Sequence, residues 1–126
     1  MGNKKLLILD DDPDVRLGLH VRLKANHYDV ILAADGMASI SEARKHMPDL
    51  IILDLGLPAG DGFSVMERLK ANDALSLIPV IVVSARDRDA NMDRALKAGA
   101  KAILQKPVEN AEFLAVIRRV LGGPRS

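Results

Sequence analysis

The chain has no cysteine and no tryptophan, one tyrosine and two phenylalanines. Without cysteine there is no disulfide framework and no thiolate metal site, and the absence fits a reducing, cytoplasmic setting. With so few aromatics, the core must be packed by Leu, Ile, Val, Ala and Met, and hydrophobic residues make up 48% of the chain. An excess of one charge is also missing, because 18 Lys and Arg face 17 Asp and Glu. That balance gives no basic footprint for nucleic acid and no pull toward an anionic membrane. No apolar run approaches the length of a membrane span. The first such run, Leu6 to Leu9, is too short for the core of a signal peptide. The 126 residues suit one compact domain.

What is present is an alternation. Leu6 to Leu9, Val30 to Ala34, Leu50 to Leu53 and Val80 to Val83 are short aliphatic runs, and Ala102 to Leu104 is a weaker one. Runs of this kind suit strands buried on both faces of a parallel sheet. The segments between them read as helices. Asp12-Pro13 is an N-cap followed by proline at the first helical position, and Val15, Leu19 and Leu23 form a stripe behind it. Asp35 caps a second helix with a stripe through Met37, Ile40, Arg44 and Met47. Phe63, Met66 and Leu69 mark a third. Asp89 caps a fourth, which Gly99 ends. Phe113, Val116, Ile117 and Val120 stripe a fifth, stopped by Gly122-Gly123-Pro124. Five β-α units with right-handed crossovers place helices on both faces of a parallel sheet, an α/β domain of three layers.

Polar residues stand where the runs end. The first run ends in Asp10-Asp11-Asp12, the third in Asp54, the fourth in Ser84 and the fifth in Gln105-Lys106-Pro107. In an open parallel sheet these ends share one edge, where ligands bind. Crowded carboxylates repel one another and favour a hard divalent cation, and Mg²⁺ suits oxygen ligands best. A metal, an ammonium and a hydroxyl around one carboxylate suit the stabilisation of a phosphoryl group in transfer, with the carboxylate as nucleophile. Taken singly, each residue has an ordinary reading. Asp12 is a cap, Asp10-Asp11 a solvated acidic cluster, Asp54 a turn starter, Ser84 a loop hydrogen-bonder and Lys106 a surface lysine. Asp61 with Gly62 reads as a turn. His20, His27 and His46 lack metal-ligand spacing. Only the coincidence of all candidates on one edge argues for chemistry.

Leu6 to Pro13, with its triple aspartate, resembles the opening of a response-regulator receiver domain. Pro48 to Pro58, followed by Asp61-Gly62, is similar to the segment around that family's phosphorylated aspartate. Ser84-Ala85 and Lys106-Pro107 resemble its hydroxyl residue and its lysine-proline pair. The resemblance covers Lys4 to Leu121, a receiver domain of residues 4–121, and leaves 122–126 as a tail or the start of a linker.

The resemblance implies a five-stranded doubly wound sheet of order 2-1-3-4-5 with five helices. It implies that Asp54 accepts a phosphoryl group from a sensor histidine kinase or a histidine phosphotransfer protein. Mg²⁺ would be held by Asp10, Asp11, Asp54 and the main-chain carbonyl of Gly56. Ser84 and Lys106 would contact the phosphoryl oxygens, and the Lys106-Pro107 bond would be cis. The domain would be no enzyme toward outside substrates, catalysing only phosphorylation and dephosphorylation of its own Asp54. Its output would be the surface of the fourth helix, fifth strand and fifth helix, open to a homodimer or a downstream effector. Two positions depart from the usual pattern. Ile103 stands where the family commonly has an aromatic lever, and Gly56 and Arg86 occupy the variable positions that tune phosphoryl lifetime. Two other functions compete. One is a phosphorylation-independent binding module. The other is a phosphatase of the haloacid dehalogenase type using Asp10, although Pro13-Asp14 replaces the expected glycine-threonine.

Overall fold

Each aliphatic run forms a strand, and each intervening segment forms a helix. The computed structural model describes residues 3–56, 62–85 and 88–122, with backbone only at 88–91. Its elements are β1 (Lys5–Leu9), α1 (Pro13–Ala25), β2 (Asp29–Ala33), α2 (Gly36–His46), β3 (Leu50–Leu53), α3 (Gly62–Ala71), β4 (Val80–Ser84), α4 (Arg88–Lys97), β5 (Ala100–Gln105) and α5 (Asn110–Val120). The strands pair in parallel in the order β2-β1-β3-β4-β5. Strand residues alternate between two faces. Leu7, Leu9, Ile51, Leu53 and Val82 pack with α2, α3 and α4 side chains. Leu6, Ile8, Leu50, Ile52 and Val83 pack with Leu19 and Leu23 of α1 and with Phe113 and Ile117 of α5. Both faces of β1, β3 and β4 are thus buried, which is why those runs carry no polar residue before their ends.

The caps follow the local chemistry. The Asp12 carboxylate accepts from the amides of Asp14 and Val15, with Pro13 opening α1. Asp35 accepts from the Ala38 amide at 2.8 Å and opens α2. Glu109 caps α5 through the amides of Ala111 and Glu112. Those two donors hold its carboxyl below the usual range. Past α4, Gly99 has φ +108°, the left-handed turn that glycine allows.

Four expectations need correction. The α2 stripe holds at Ile40, which packs against the core, and fails at Met37 and Met47, which are exposed, while the buried face runs through Gly36, Ser39 and Ala43. Small residues let this helix lie close to the sheet, and size outweighed hydropathy in choosing its face. β2 is an edge strand and is only partly buried, with Leu32 exposed. β5 begins at Ala100, two residues before its apolar run, because a bulge at the Val80/Ile81 pairing leaves exposed Lys101 between Ala100 and Ala102. α4 opens at Arg88, so Asp89 lies inside the helix and not ahead of it.

Two glycines make opposite demands. At Gly62, which opens α3, a Cβ would lie 2.7 Å from Leu55 Cα and 2.8 Å from the Asp54 carbonyl oxygen. Both neighbours are backbone and cannot yield. At Gly18, in mid-α1, a Cβ would meet nothing within 4 Å. Gly62→Ala should therefore lower stability by about 1–3 kcal/mol through overpacking. Gly18→Ala should raise it by about 1 kcal/mol through helix propensity. Urea midpoints of the two variants, compared with the parent, check both signs.

Candidate functional site

The strand register aligns the polar ends. Leu9 pairs with Leu53, and the Asp54 amide donates to the Leu9 carbonyl at 2.9 Å, so Asp10 and Asp54 leave adjacent strands side by side. Ser84 pairs with Gln105, and its carbonyl accepts the Lys106 amide at 2.8 Å. Strand order reverses at β1, with β2 on one side and β3 on the other. The crevice at such a reversal is where open α/β sheets hold ligands.

The side chains converge there. One carboxylate oxygen from each of Asp10, Asp11 and Asp54 lies within 4.8 Å of the others. Lys106 reaches across β4 and donates to Asp10 Oδ2 at 2.7 Å and to Asp54 Oδ2 at 3.3 Å. The other Asp10 oxygen accepts the Asp12 amide at 2.9 Å, and Asp54 Oδ1 accepts the Gly56 amide at 2.9 Å. Asp10 and Asp54 are buried, at 2% and 7% exposure, while Asp11 is exposed. The reading of a solvated acidic cluster therefore fails for Asp10 and survives for Asp11 alone. Ser84 is buried at the end of β4, between the strands that carry Asp54 and Lys106. A side chain at Gly56 would put its Cβ 3.5 and 3.9 Å from the two Asp54 oxygens, so glycine leaves that flank of the carboxylate open. The Lys106-Pro107 peptide is cis.

The electrostatics follow from this packing. Burial pushes the Asp10 carboxyl above its ordinary value, and the Lys106 hydrogen bond and charge recover only part of the shift. Burial also works against the Lys106 ammonium. The hydrogen bonds and charges of Asp10 and Asp54 together outweigh it, leaving the lysine above its ordinary 10.5. The donor set fits Mg²⁺. All three ligand atoms are hard carboxylate oxygens, and an octahedral ion with bonds of about 2.0–2.1 Å holds its ligands about 3–4 Å apart. A small contraction of the cluster would meet that spacing.

Sequence reasoning missed one residue here. Arg16, one turn into α1, donates from Nη1 to the Asp10 carbonyl oxygen at 2.7 Å. Its only signal in the sequence was its place four residues after the Asp12 cap. Asp61, Arg86 and Asp87 lie outside the described residues. Asp29 and Asp93 stand near lysines, and Asp49 accepts the Lys5 amide at 2.8 Å, all away from the cluster.

A family model for the response regulator receiver domain matches residues 6–118. The chain belongs to the response-regulator receiver family. The response regulator PleD of Caulobacter vibrioides is 35% identical over 115 residues, covering 90% of this chain and 25% of PleD. The transcriptional regulatory protein KdpE of Mycobacterium tuberculosis is 39% identical over 113 residues, covering 90% of this chain and 49% of KdpE. The chain thus spans a quarter to a half of these curated relatives. Among solved structures, the chemotaxis protein CheY4 of Vibrio cholerae superposes with a TM-score of 0.89 at 25% identity, covering 94% of this chain and 99% of that one. The receiver domain of the Pseudomonas aeruginosa sensor histidine kinase PA1611 gives a TM-score of 0.88 at 27% identity, covering 97% and 100%. That structure has a magnesium ion coordinated in its active-site cleft. Receiver domains are signalling domains that bind Mg²⁺ at an acidic site and interact with histidine kinases or phosphotransfer proteins. Among the described residues of this receiver, no helix is long and apolar enough to cross a membrane.

The raised Lys106 pKa has a definite sign. The folded receiver holds this proton more tightly than the unfolded chain, so the contribution of Lys106 to stability is complete below 10.5 and is lost as pH rises through the raised value. In EDTA at neutral pH, Lys106→Met should lower the unfolding free energy by about 1.5–3 kcal/mol, as for a hydrogen bond to a charged group. The gap between parent and variant should narrow as pH passes above 10.5. Denaturant melts of both proteins across that range measure it.

Proposed function

We propose that this receiver is a phosphoacceptor switch in which Asp54 takes a phosphoryl group from a sensor histidine kinase or a histidine phosphotransfer protein. The observation that carries this is the buried Asp54 carboxylate, gathered with Asp10 and Asp11 within 4.8 Å and held by the Lys106 ammonium. Asp10, Asp11, Asp54 and the Gly56 main-chain carbonyl would hold Mg²⁺, which supplies charge neutralisation for the transferring oxygens. An Asp54 carboxylate oxygen attacks phosphorus, the O–P bond to Asp54 forms and the donor's N–P bond breaks. The Gly56 amide orients the carboxylate, and Lys106 offsets charge on its other oxygen. Ser84, at the end of the neighbouring strand, hydrogen-bonds the new phosphoryl group. Lacking a side chain, Gly56 leaves room for a water to reach the acyl phosphate, so the domain reverses its own modification and turns over no outside substrate.

The unit that acts is residues 4–121, placed in the cytoplasm, with 122–126 beginning a tail or linker. Phosphorylation adds about −1.5 to −2 charges at the strand ends. The change is read at the α4–β5–α5 surface, by a second copy or by a downstream effector. One observation favours a second reading, a receiver fold kept for binding alone. Ile103 is buried at 7% exposure in the core shared with Ala95 of α4, so no aromatic lever is present at that position.

Incubation with phosphoramidate or acetyl phosphate and Mg²⁺ separates the two. Intact-mass spectrometry should show one labile phosphoryl group, mapped to Asp54 and abolished by EDTA or by Asp54→Asn. Stable labelling elsewhere, or no labelling with any donor, would overturn the switch and leave the binding module.

A further inference from the structure

We propose that Arg16 is a positioning residue for Asp11. It clamps the main chain that aims the one carboxylate of the cluster that no hydrogen bond reaches among the described residues. This rests on reading the acidic cluster as a Mg²⁺ site.

Every buried backbone carbonyl needs a donor, and at the end of β2 the ladder stops supplying them. The Asp10 amide donates to the Ala33 carbonyl of β2 at 3.3 Å. In a parallel ladder the Asp10 carbonyl points the same way, toward the amide of Asp35. By then β2 has ended at Ala33, and Asp35 stands at the N-cap of α2. Arg16 Nη1 meets the carbonyl instead, at 2.7 Å and partly buried. A charged side chain from α1 thus continues the ladder one step past the end of the sheet.

The three carboxylates differ in what holds them. Asp10 has one oxygen on Lys106 and the other on the Asp12 amide. Asp54 has one on Lys106 and the other on the Gly56 amide. Asp11 is exposed, and among the described residues no hydrogen bond reaches its carboxylate. Its direction is therefore set by its backbone. The peptide linking Asp10 to Asp11 is planar, so fixing its oxygen fixes the plane that leads into the Asp11 Cα. On the far side, the Asp12 cap and the Arg16 amide, which donates to the Asp12 carbonyl at 3.0 Å, tie the same three residues to the first turn of α1. Arg16 closes this loop from within the helix.

The sign of the effect separates this role from plain electrostatics. A guanidinium near a cation site repels the cation, so if Arg16 acted only through its charge, removing it would tighten Mg²⁺ binding. As a positioning residue, its removal loosens Asp11 and weakens binding, and loss of a group that orients a metal ligand typically costs about tenfold in affinity.

The test is a calorimetric titration of the full chain with Mg²⁺ alone. Arg16→Met should raise the Kd about tenfold. With phosphoramidate as donor, the Mg²⁺ concentration for half-maximal labelling should rise in parallel while the rate at saturating Mg²⁺ stays at the parent value. An unchanged or lower Kd, or a fall in the saturated rate, overturns the proposal. Should Arg16→Met not fold, Arg16→Ala removes the same charge and the same donor with the residue most favourable to a helix. Weaker binding than the parent then supports positioning, and equal or tighter binding overturns it. A parent protein that binds no Mg²⁺ overturns the reading of the cluster itself. A parent that binds, beside an Arg16→Met variant that binds equally well, overturns only the role of Arg16.

Discussion

The structure turns on one unresolved charge balance. Three carboxylates meet within 4.8 Å at the end of a buried sheet, and one ammonium faces two of them. At an effective dielectric of about 20, two unit charges at that separation repel by about 3–4 kcal/mol. Lys106 relieves part of this and is itself held protonated by doing so. Asp10 shows the remainder. Its carboxyl stays above the ordinary range although it is paired, because burial costs more than one lysine returns. A group whose folded pKa is raised in this way lowers stability once it is ionised. At neutral pH the Asp10 carboxyl therefore costs stability while the protonated Lys106 beside it contributes some, and the apolar sheet beneath carries both.

That sheet does more than hold the acids near one another. Burial on both faces keeps β1 aliphatic from Leu6 to Leu9 and β3 from Leu50 to Leu53, so the polar residue that follows each falls at the same level of the register. Leu9 beside Leu53 makes Asp10 beside Asp54 unavoidable. The approach of α3 is fixed as tightly. Gly62 lies against the main chain of Asp54 and Leu55 with no room for a methyl group, and its amide donates to the Leu55 carbonyl at 3.2 Å. The backbone behind Asp54 is thus held from the side of α3 while its carboxylate faces the crevice.

The sequence made the strand ends legible because a buried parallel strand leaves little choice. A continuous aliphatic run that stops at Asp or Ser marks both an element and an edge. The Asp12-Pro13 and Asp35 caps were equally plain, since capping is local chemistry. Legibility failed where tertiary packing overrode local pattern. In α2, hydropathy pointed to Met37 and Met47, but close approach to the sheet selected Gly36, Ser39 and Ala43. In β5, the bulge at Lys101 hid the first two residues of the strand. Arg16 was invisible for another reason. Its partner is a main-chain carbonyl, and no side-chain pattern records which carbonyl a ladder has left over.

Helix α4 meets the core through Met92 and Ala95. Among its described residues only Ala95 is fully buried, whereas α3 buries Phe63, Val65, Met66 and Leu69 and α5 buries Phe113, Leu114 and Ile117. Its link to α3 is Arg94, whose guanidinium lies 3.8 Å from the centre of the Phe63 ring. Such a contact at an exposed site is worth about 0.5–1 kcal/mol. Elements with little buried apolar area open at the lowest free energy. By the side chains described at 92–97, α4 buries less apolar area than α3. Phe63 directly follows Gly62, so this contact falls beside the turn that packs against the main chain of Asp54 and Leu55. On its other side α4 shares the apolar core with β5, where Ala95 and Ile103 belong to one cluster.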